Sequence, residues 1–251
     1  MMRAFENYSK NSKGPVAIEA YTMVAPYTSM HETICRLAQD NLVPLIILPF
    51  HENHQCLVGP SMTSPIRQFN QNVQAFSRCT VGILVDRGLC CWLRSSNFSS
   101  IVAVFFIGGP DDREALAYAS RMADNPDVCI TVFRIVVWNS NKEGNEEETE
   151  QFKLDESLIN EFKLRNLGND RLNWHDIEVD DYNMSLRDEE MKDFIQNPEL
   201  GMIGDVLASS DFCGGMVNVL VMQESRELGF GAYHNDSIKE STTQECRCTL
   251  I

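Results

Sequence analysis

Strand-length apolar runs alternate along this chain with stretches whose apolar positions recur at helical spacing. Val16–Val24 (VAIEAYTMV) reads as a strand. Ser29-x-x-Glu32 has the form of a capping box, and Ile34, Leu37 and Ala38 give the helix after it one apolar face. Val43–Pro49 (VPLIILP) is apolar at successive positions, as a strand covered on both faces is. Ser64-Pro65 marks a helix start that runs to about Phe76, and Thr80–Val85 is a further buried strand. Ile101–Ile107 (IVAVFFI) is the strongest strand signal, turned by Gly108-Gly109-Pro110. Asp111-x-x-Glu114 then caps a helix carrying Ala115, Leu116, Ala119, Met122 and Ala123. Asn125-Pro126-Asp127 breaks it, and Val128–Val137 is the next strand.

The rest of the chain is more polar. Asn139–Glu150 reads as an acidic, solvated loop, and Leu154 to about Leu164 as an amphipathic helix. His175–Val179 reads as a short strand, and Ser185–Phe194 and Leu200–Ala208 as helices. Val217–Met222 is the last strand, and the chain after Gln223 is expected to be disordered. Alternation of buried strands with helices predicts an α/β fold with parallel strands and right-handed crossovers. Leu45–Leu48, Ile83–Val85, Val102–Ile107 and Val219–Met222 are the expected central strands. Helix, polar break and apolar strand recur in FNQNVQAFSRCTVGILV and GMIGDVLASSDFCGGMVNVLVMQ, which points to a degenerate internal duplication.

Charge sharpens the division. The chain of 251 residues carries a net −15, split as +2 in residues 1–95 and −17 in residues 96–251. Two units follow, with the boundary between Cys90 and Ser100: residues 1–95, residues 96–224 and a tail over 225–251. The acidic balance excludes a nucleic-acid surface and a polybasic membrane patch. No apolar run reaches the roughly 18–20 residues that span a bilayer, so no direct membrane span is expected. Nine cysteines without a C-x-x-C pair, and no apolar leader after Met1, read as reduced cytoplasmic thiols.

Several stretches together resemble the plant cation/proton exchanger (CHX-type) family of potassium transporters. They are SMHETICRLAQD, LIILPFH, NQNV…TVGILVDRG, FFIGGPDDREALAYASRMA, and PELGMIGDVLASSDF before VNVLVMQE, in the family's order over most of residues 16–224. The resemblance implies the cytosolic C-terminal region that follows a membrane antiporter domain, built as two tandem universal-stress-protein-like units. Against that pattern the membrane domain and its ion-translocating acids are missing. The first unit begins late, and between Asp181 and Pro198 the expected apolar strand is not found. The implied function is regulation of monovalent-cation transport and pH homeostasis by a non-enzymatic module at the cytosolic face of a plasma or endomembrane. Its partner is the parent's antiporter domain, and self-association through an open sheet edge is also expected. The alternative is a stand-alone nucleotide-binding stress protein.

Candidate chemistry is sparse. Gly108, Gly109, Asp111, Asp112 and Arg113 place a helix start at a strand's carboxyl end, where an anion or ligand pocket forms. Two carboxylates there oppose phosphate and fit a turn plus cap. Gly201, Gly204 and Gly214 match a universal-stress glycine loop by count, but Gly215 stands where Ser or Thr belongs and a strand follows, so the match reads as coincidence. His51-x2-His54-x-Cys56 lacks a fourth ligand for zinc, leaving His51 and His54 as candidate proton sensors. Cys248-Thr249-Leu250-Ile251 fits a loose lipidation pattern, with Cys246 as a second acylation site. No catalytic motif is present, and neither a metal nor a cofactor is called for.

Overall fold

The computed structural model describes residues 21–50, 63–87, 100–138, 146–180, 195–212, 214, 217–225 and 249–250. Its elements are α1 (Met30–Asp40), β1 (Leu45–Pro49), α2 (Thr63–Phe76), β2 (Thr80–Val85), β3 (Ser100–Phe106), α3 (Pro110–Met122), β4 (Val128–Trp138), α4 (Glu146–Arg165), β5 (Leu172–Asp180), a 3-10 turn (Pro198–Leu200), α5 (Gly201–Ala208), β6 (Val219–Gln223) and β7 (Thr249–Leu250). They form an α/β fold with two sheets, ordered β1-β2-β6-β7 and β3-β4-β5. The second sheet is parallel throughout, with Ile101 opposite Cys129 and Ile130 opposite Leu172. β1 and β2 are also parallel, joined through α2 as a crossover requires.

β6 pairs antiparallel with β2, centred on Ile83 opposite Val221. The two strands are the ends of the recurring helix–break–strand pattern. Both strands are buried on both faces, which explains their unbroken apolar runs. Val81 packs with α1 and α2, while Ile83, Val85, Val219 and Val221 pack with α5. On the opposite face Leu84, Leu220 and Met222 meet Ala115 and Tyr118 of α3. Gly204 lets α5 sit close on this sheet: a Cβ there would lie 2.8 Å from Val221 Cγ2.

α3 also forms the second core. Leu116 and Ala119 pack with Val102, Val104, Phe106, Ile130 and Val132, and with Ile159 and Phe162 of α4. One helix therefore holds both sheets. Each fully buried Leu, Ile or Phe in such a core contributes about 1.5–3 kcal/mol over the exposed state.

Several local expectations are corrected. Tyr21–Val24 form no strand, and residues 16–20 lie outside the described residues. Tyr21 and Val24 are exposed, so the burial that gives β propensity its effect is missing. Ser29 makes no side-chain cap to α1, because the chain enters through a turn in which Ser29 N–H donates to Pro26 O. α2 begins at Thr63, so Pro65 lies within its first turn. Residues 146–150 are helical rather than loop, since Glu is a good helix former and acidic groups suit a helix N-terminus. β5 is longer than the His175–Val179 expected. β1 and β3 end their sheets among the described strands instead of sitting centrally, and β4 is the middle strand of the second sheet. The helix read at Ser185–Phe194, nearly all of the Cys90–Ser100 linker, and residues 226–248 of the tail lie outside the described residues.

Candidate functional site

All five residues of the expected anion pocket come together at the carboxyl end of β3, where α3 starts. The turn is made by Gly108 (φ 133°) and Gly109 (φ 101°), conformations that side chains rarely adopt. Gly108 is also spatially constrained: a Cβ there would lie 2.9 Å from Asp155 Oδ2. Asp112, fully buried in the first turn of α3, folds back so that its Oδ2 accepts from the Ile107 N–H at 2.6 Å and the Gly108 N–H at 2.7 Å. Asp155 reaches in from α4. Its Oδ2 accepts from the Gly109 N–H at 3.0 Å and its Oδ1 from Arg113 Nη1 at 2.6 Å. Arg113 Nη2 donates to Gln151 Oε1 at 2.8 Å. Asp111 turns the other way and accepts the Glu224 N–H at 2.7 Å, tying the end of β6 to the start of α3.

Three successive amides at a helix N-terminus would ordinarily attract an anion. Here the chain's own carboxylates already take them. A phosphate entering this turn has to displace Asp112 and Asp155 and stand beside Asp111.

The electrostatics are set by burial. Asp112 Oδ1 is buried without a hydrogen-bond partner. Desolvation pushes the Asp112 carboxyl up from 3.8 to about 7, opposed by the Gly108 and Ile107 amides and reinforced by the charges of Asp111 and Asp155. Arg113, the nearby cation, is committed to Asp155 and Gln151. Arg134 and Glu156 form a separate ion pair one residue beyond Asp155 on α4.

Asp155 and Gln151 were not recognised from the sequence, yet a signal was present. Asp112 stands at i−3, i−4 and i−7 from Ala115, Leu116 and Ala119, and Asp155 at i−4 and i−7 from Ile159 and Phe162. Those spacings put both carboxylates on the buried faces of their helices.

The remaining candidates fall elsewhere. His51, His54 and Cys56, like Cys246 and Cys248, lie outside the described residues. Gly201 and Gly204 belong to α5, where Gly204 serves close packing. A cleft of about 370 Å³ between α1 and the start of β2 is lined by Cys35, Ala38, Leu42, Pro44 and Cys79 among others. Burial, with the nearby Cys79, raises the Cys35 thiol above its ordinary 9.0, which favours the unreactive form. No cluster of three metal-ligating side chains occurs among the described residues. No helix among them is long and apolar enough to cross a membrane.

Comparison with known proteins decides the family. A model of the plant cation/H(+) antiporter domain matches residues 1–89, and one of the plant cation/H(+) antiporter C-terminal domain matches residues 99–188 and 180–223. The chain belongs to the plant cation/H(+) antiporter family. Among family members in Arabidopsis thaliana, Cation/H(+) antiporter 15 is 37% identical over 265 residues, covering 89% of this chain and 32% of that protein. Cation/H(+) antiporter 23, chloroplastic, is 35% identical, over 83% of this chain and 28% of that protein. Cation/H(+) symporter 13 is 32% identical, over 84% and 28%. The chain thus spans about a third of the length of these antiporter-family relatives.

Proposed function

We propose that this chain is a regulatory, non-enzymatic region of a cation/proton exchanger and that it reads proton activity at the Asp112 centre. The observation that carries this reading is a buried carboxylate held by two backbone amides, whose one nearby guanidinium is already paired with another acid. Below neutral pH Asp112 is neutral and the centre keeps its geometry. Above it, a buried negative charge faces Asp155 and Asp111 without a counter-ion of its own, an arrangement that costs several kcal/mol. Moving Arg113 from Asp155 to Asp112 relieves it. That move leaves Asp155 held by the Gly109 amide alone and loosens α4 from α3, and α3 carries the change to β6. The centre is thus a two-state element that proton binding biases.

In this reading the partner is the membrane antiporter domain of a longer protein, and the site is the cytosolic face of its membrane. The process is monovalent-cation (potassium) transport with pH homeostasis. Membership of the antiporter family supports it. A nucleotide-binding role is disfavoured because the three amides of the turn are engaged by carboxylates.

The test is a chimera in which residues 1–251 replace the matching third of Cation/H(+) antiporter 15, expressed in a host lacking its own cation exchangers. Transport should change steeply as cytosolic pH passes through about 7, and Asp112→Asn should flatten that response without abolishing transport. An Asp112→Asn chimera with the unaltered pH profile contradicts the reading.

A further inference from the structure

We infer that the edge of β6 facing β3 is a strand-accepting slot, and that the chain's own segment around Thr249–Leu250 fills it. The strand order β1-β2-β6-β7 defines the slot. β2 has β1 on the edge away from β6, so the equivalent position on β6 is the edge away from β2. Among the described residues the strand there is β7, with Leu250 opposite Val221 and Thr249 opposite Met222. β7 meets β6 antiparallel, where β1 meets β2 parallel. In sequence β7 follows β6, whereas β1 precedes β2, so the slot is filled from the other direction of the chain.

The slot is one strand wide. β7 also lies within 8 Å, Cα to Cα, of β3, α3 and α5. It is hydrogen-bonded to β6 and lies beside β3, which belongs to the other sheet. The flanking walls are apolar: β6 is buried along its whole length, and Phe105 of β3 packs into the β2–β6–α5 core. Without an occupant, β6 would present unpaired backbone groups in an apolar setting, which is costly and invites pairing with another chain. The recognition is β-augmentation, with main-chain hydrogen bonds supplying affinity and alternate apolar side chains the register.

Tethering keeps the occupant at an effective concentration on the order of millimolar, so cis pairing outcompetes a free strand of equal affinity.

The test is hydrogen exchange on the intact chain and on a chain stopped after Glu245. In the intact chain the Thr249–Leu250 amides should be protected independently of protein concentration. In the shortened chain, exchange in Val219–Gln223 and Ser100–Phe106 should accelerate at least tenfold. A synthetic peptide of residues 244–251, with serine for both cysteines, should restore protection there and should not bind the intact chain. Leu250→Pro in the full-length chain should reproduce the shortened chain if shortening proves disruptive. Unprotected Thr249–Leu250 amides in the intact chain overturn the inference. So does protection that appears only as the chain dimerises, since the strand would then come from a second copy.

Discussion

Replacing Asp112 by Asn keeps the shape of the side chain and removes its charge, so it isolates the cost of ionising this buried group. Oδ1 of the amide can still accept from Ile107 and Gly108, while its NH2 takes the place of the unpartnered oxygen. That unpaired NH2 costs about 1–3 kcal/mol at every pH. The charge term behaves differently. The folded state holds a proton on Asp112 up to about pH 7, whereas the unfolded chain releases it near 3.8. Between those values the folded state binds more protons, so stability falls as pH rises, by roughly 1.4 kcal/mol per pH unit. The stabilisation of the protonated form is fully present below 3.8 and is lost as pH passes through about 7. Over the whole window the term is on the order of 4 kcal/mol, a large share of a typical 5–15 kcal/mol fold. Urea unfolding of both proteins at pH 5, 6, 7 and 8, followed by circular dichroism, gives the difference in stability at each pH. Titrations common to both proteins cancel in that difference. Relative to wild type, Asp112→Asn should gain about 2–3 kcal/mol between pH 5 and 7 and then level off. A difference that stays flat across the series would refute the assignment of a raised proton affinity to Asp112.

Three further outcomes follow from the packing. Arg67 of α2 holds the buried Glu199 through Nε at 3.3 Å and reaches Asn197 Oδ1 at 2.9 Å, so Arg67→Ala should lower the urea midpoint by the equivalent of about 2–3 kcal/mol. Gly204→Ala places a methyl 2.8 Å from Val221 Cγ2 and should cost about 1–3 kcal/mol in the same assay, although alanine is the better helix former. Cys35, its thiol held above 9.0, should react with iodoacetamide at pH 7.5 several-fold more slowly than a free cysteine, and mass spectrometry of the labelled chain reads this directly.

The strands were legible because burial on two faces writes itself as an unbroken apolar run. Thr80–Val85 and Val219–Met222 form where the pattern places them; the strand read at Ile101–Ile107 forms over Ser100–Phe106, although its burial alternates and Ile101 is exposed. Their neighbours were less legible. β6 lies in the acidic half of the chain, yet pairs with β2 of the first half, because periodicity records which faces are buried and not which edge meets which. At the site, Gly108, Gly109 and the acid pair were legible as a strand-to-helix turn. The sequence did not say that Asp111 turns outward to Glu224 while Asp112 turns inward, and the two were read alike as caps. Helical spacing to Ala115, Leu116 and Ala119 distinguishes them. Asp155 was harder to single out because it is one of several acids on α4, and acids on an amphipathic helix ordinarily face water. Only the tertiary contact of α3 with α4 brings it to Gly109 and Arg113.

The central claim is that one buried carboxyl exchanges its proton near neutral pH and takes its neighbours with it. Carbon-13 NMR of the aspartate carboxyl groups in the full chain, with Asp112 assigned by its absence in Asp112→Asn, measures this directly. The account predicts a carboxyl resonance with a midpoint near pH 7. The Gly108 and Gly109 amides and the Arg113 guanidinium should shift along the same curve, as the Arg113–Asp155 pairing gives way. An Asp112 resonance that titrates in the ordinary carboxylate range near pH 4, with those three groups unmoved between pH 5 and 8, would contradict it.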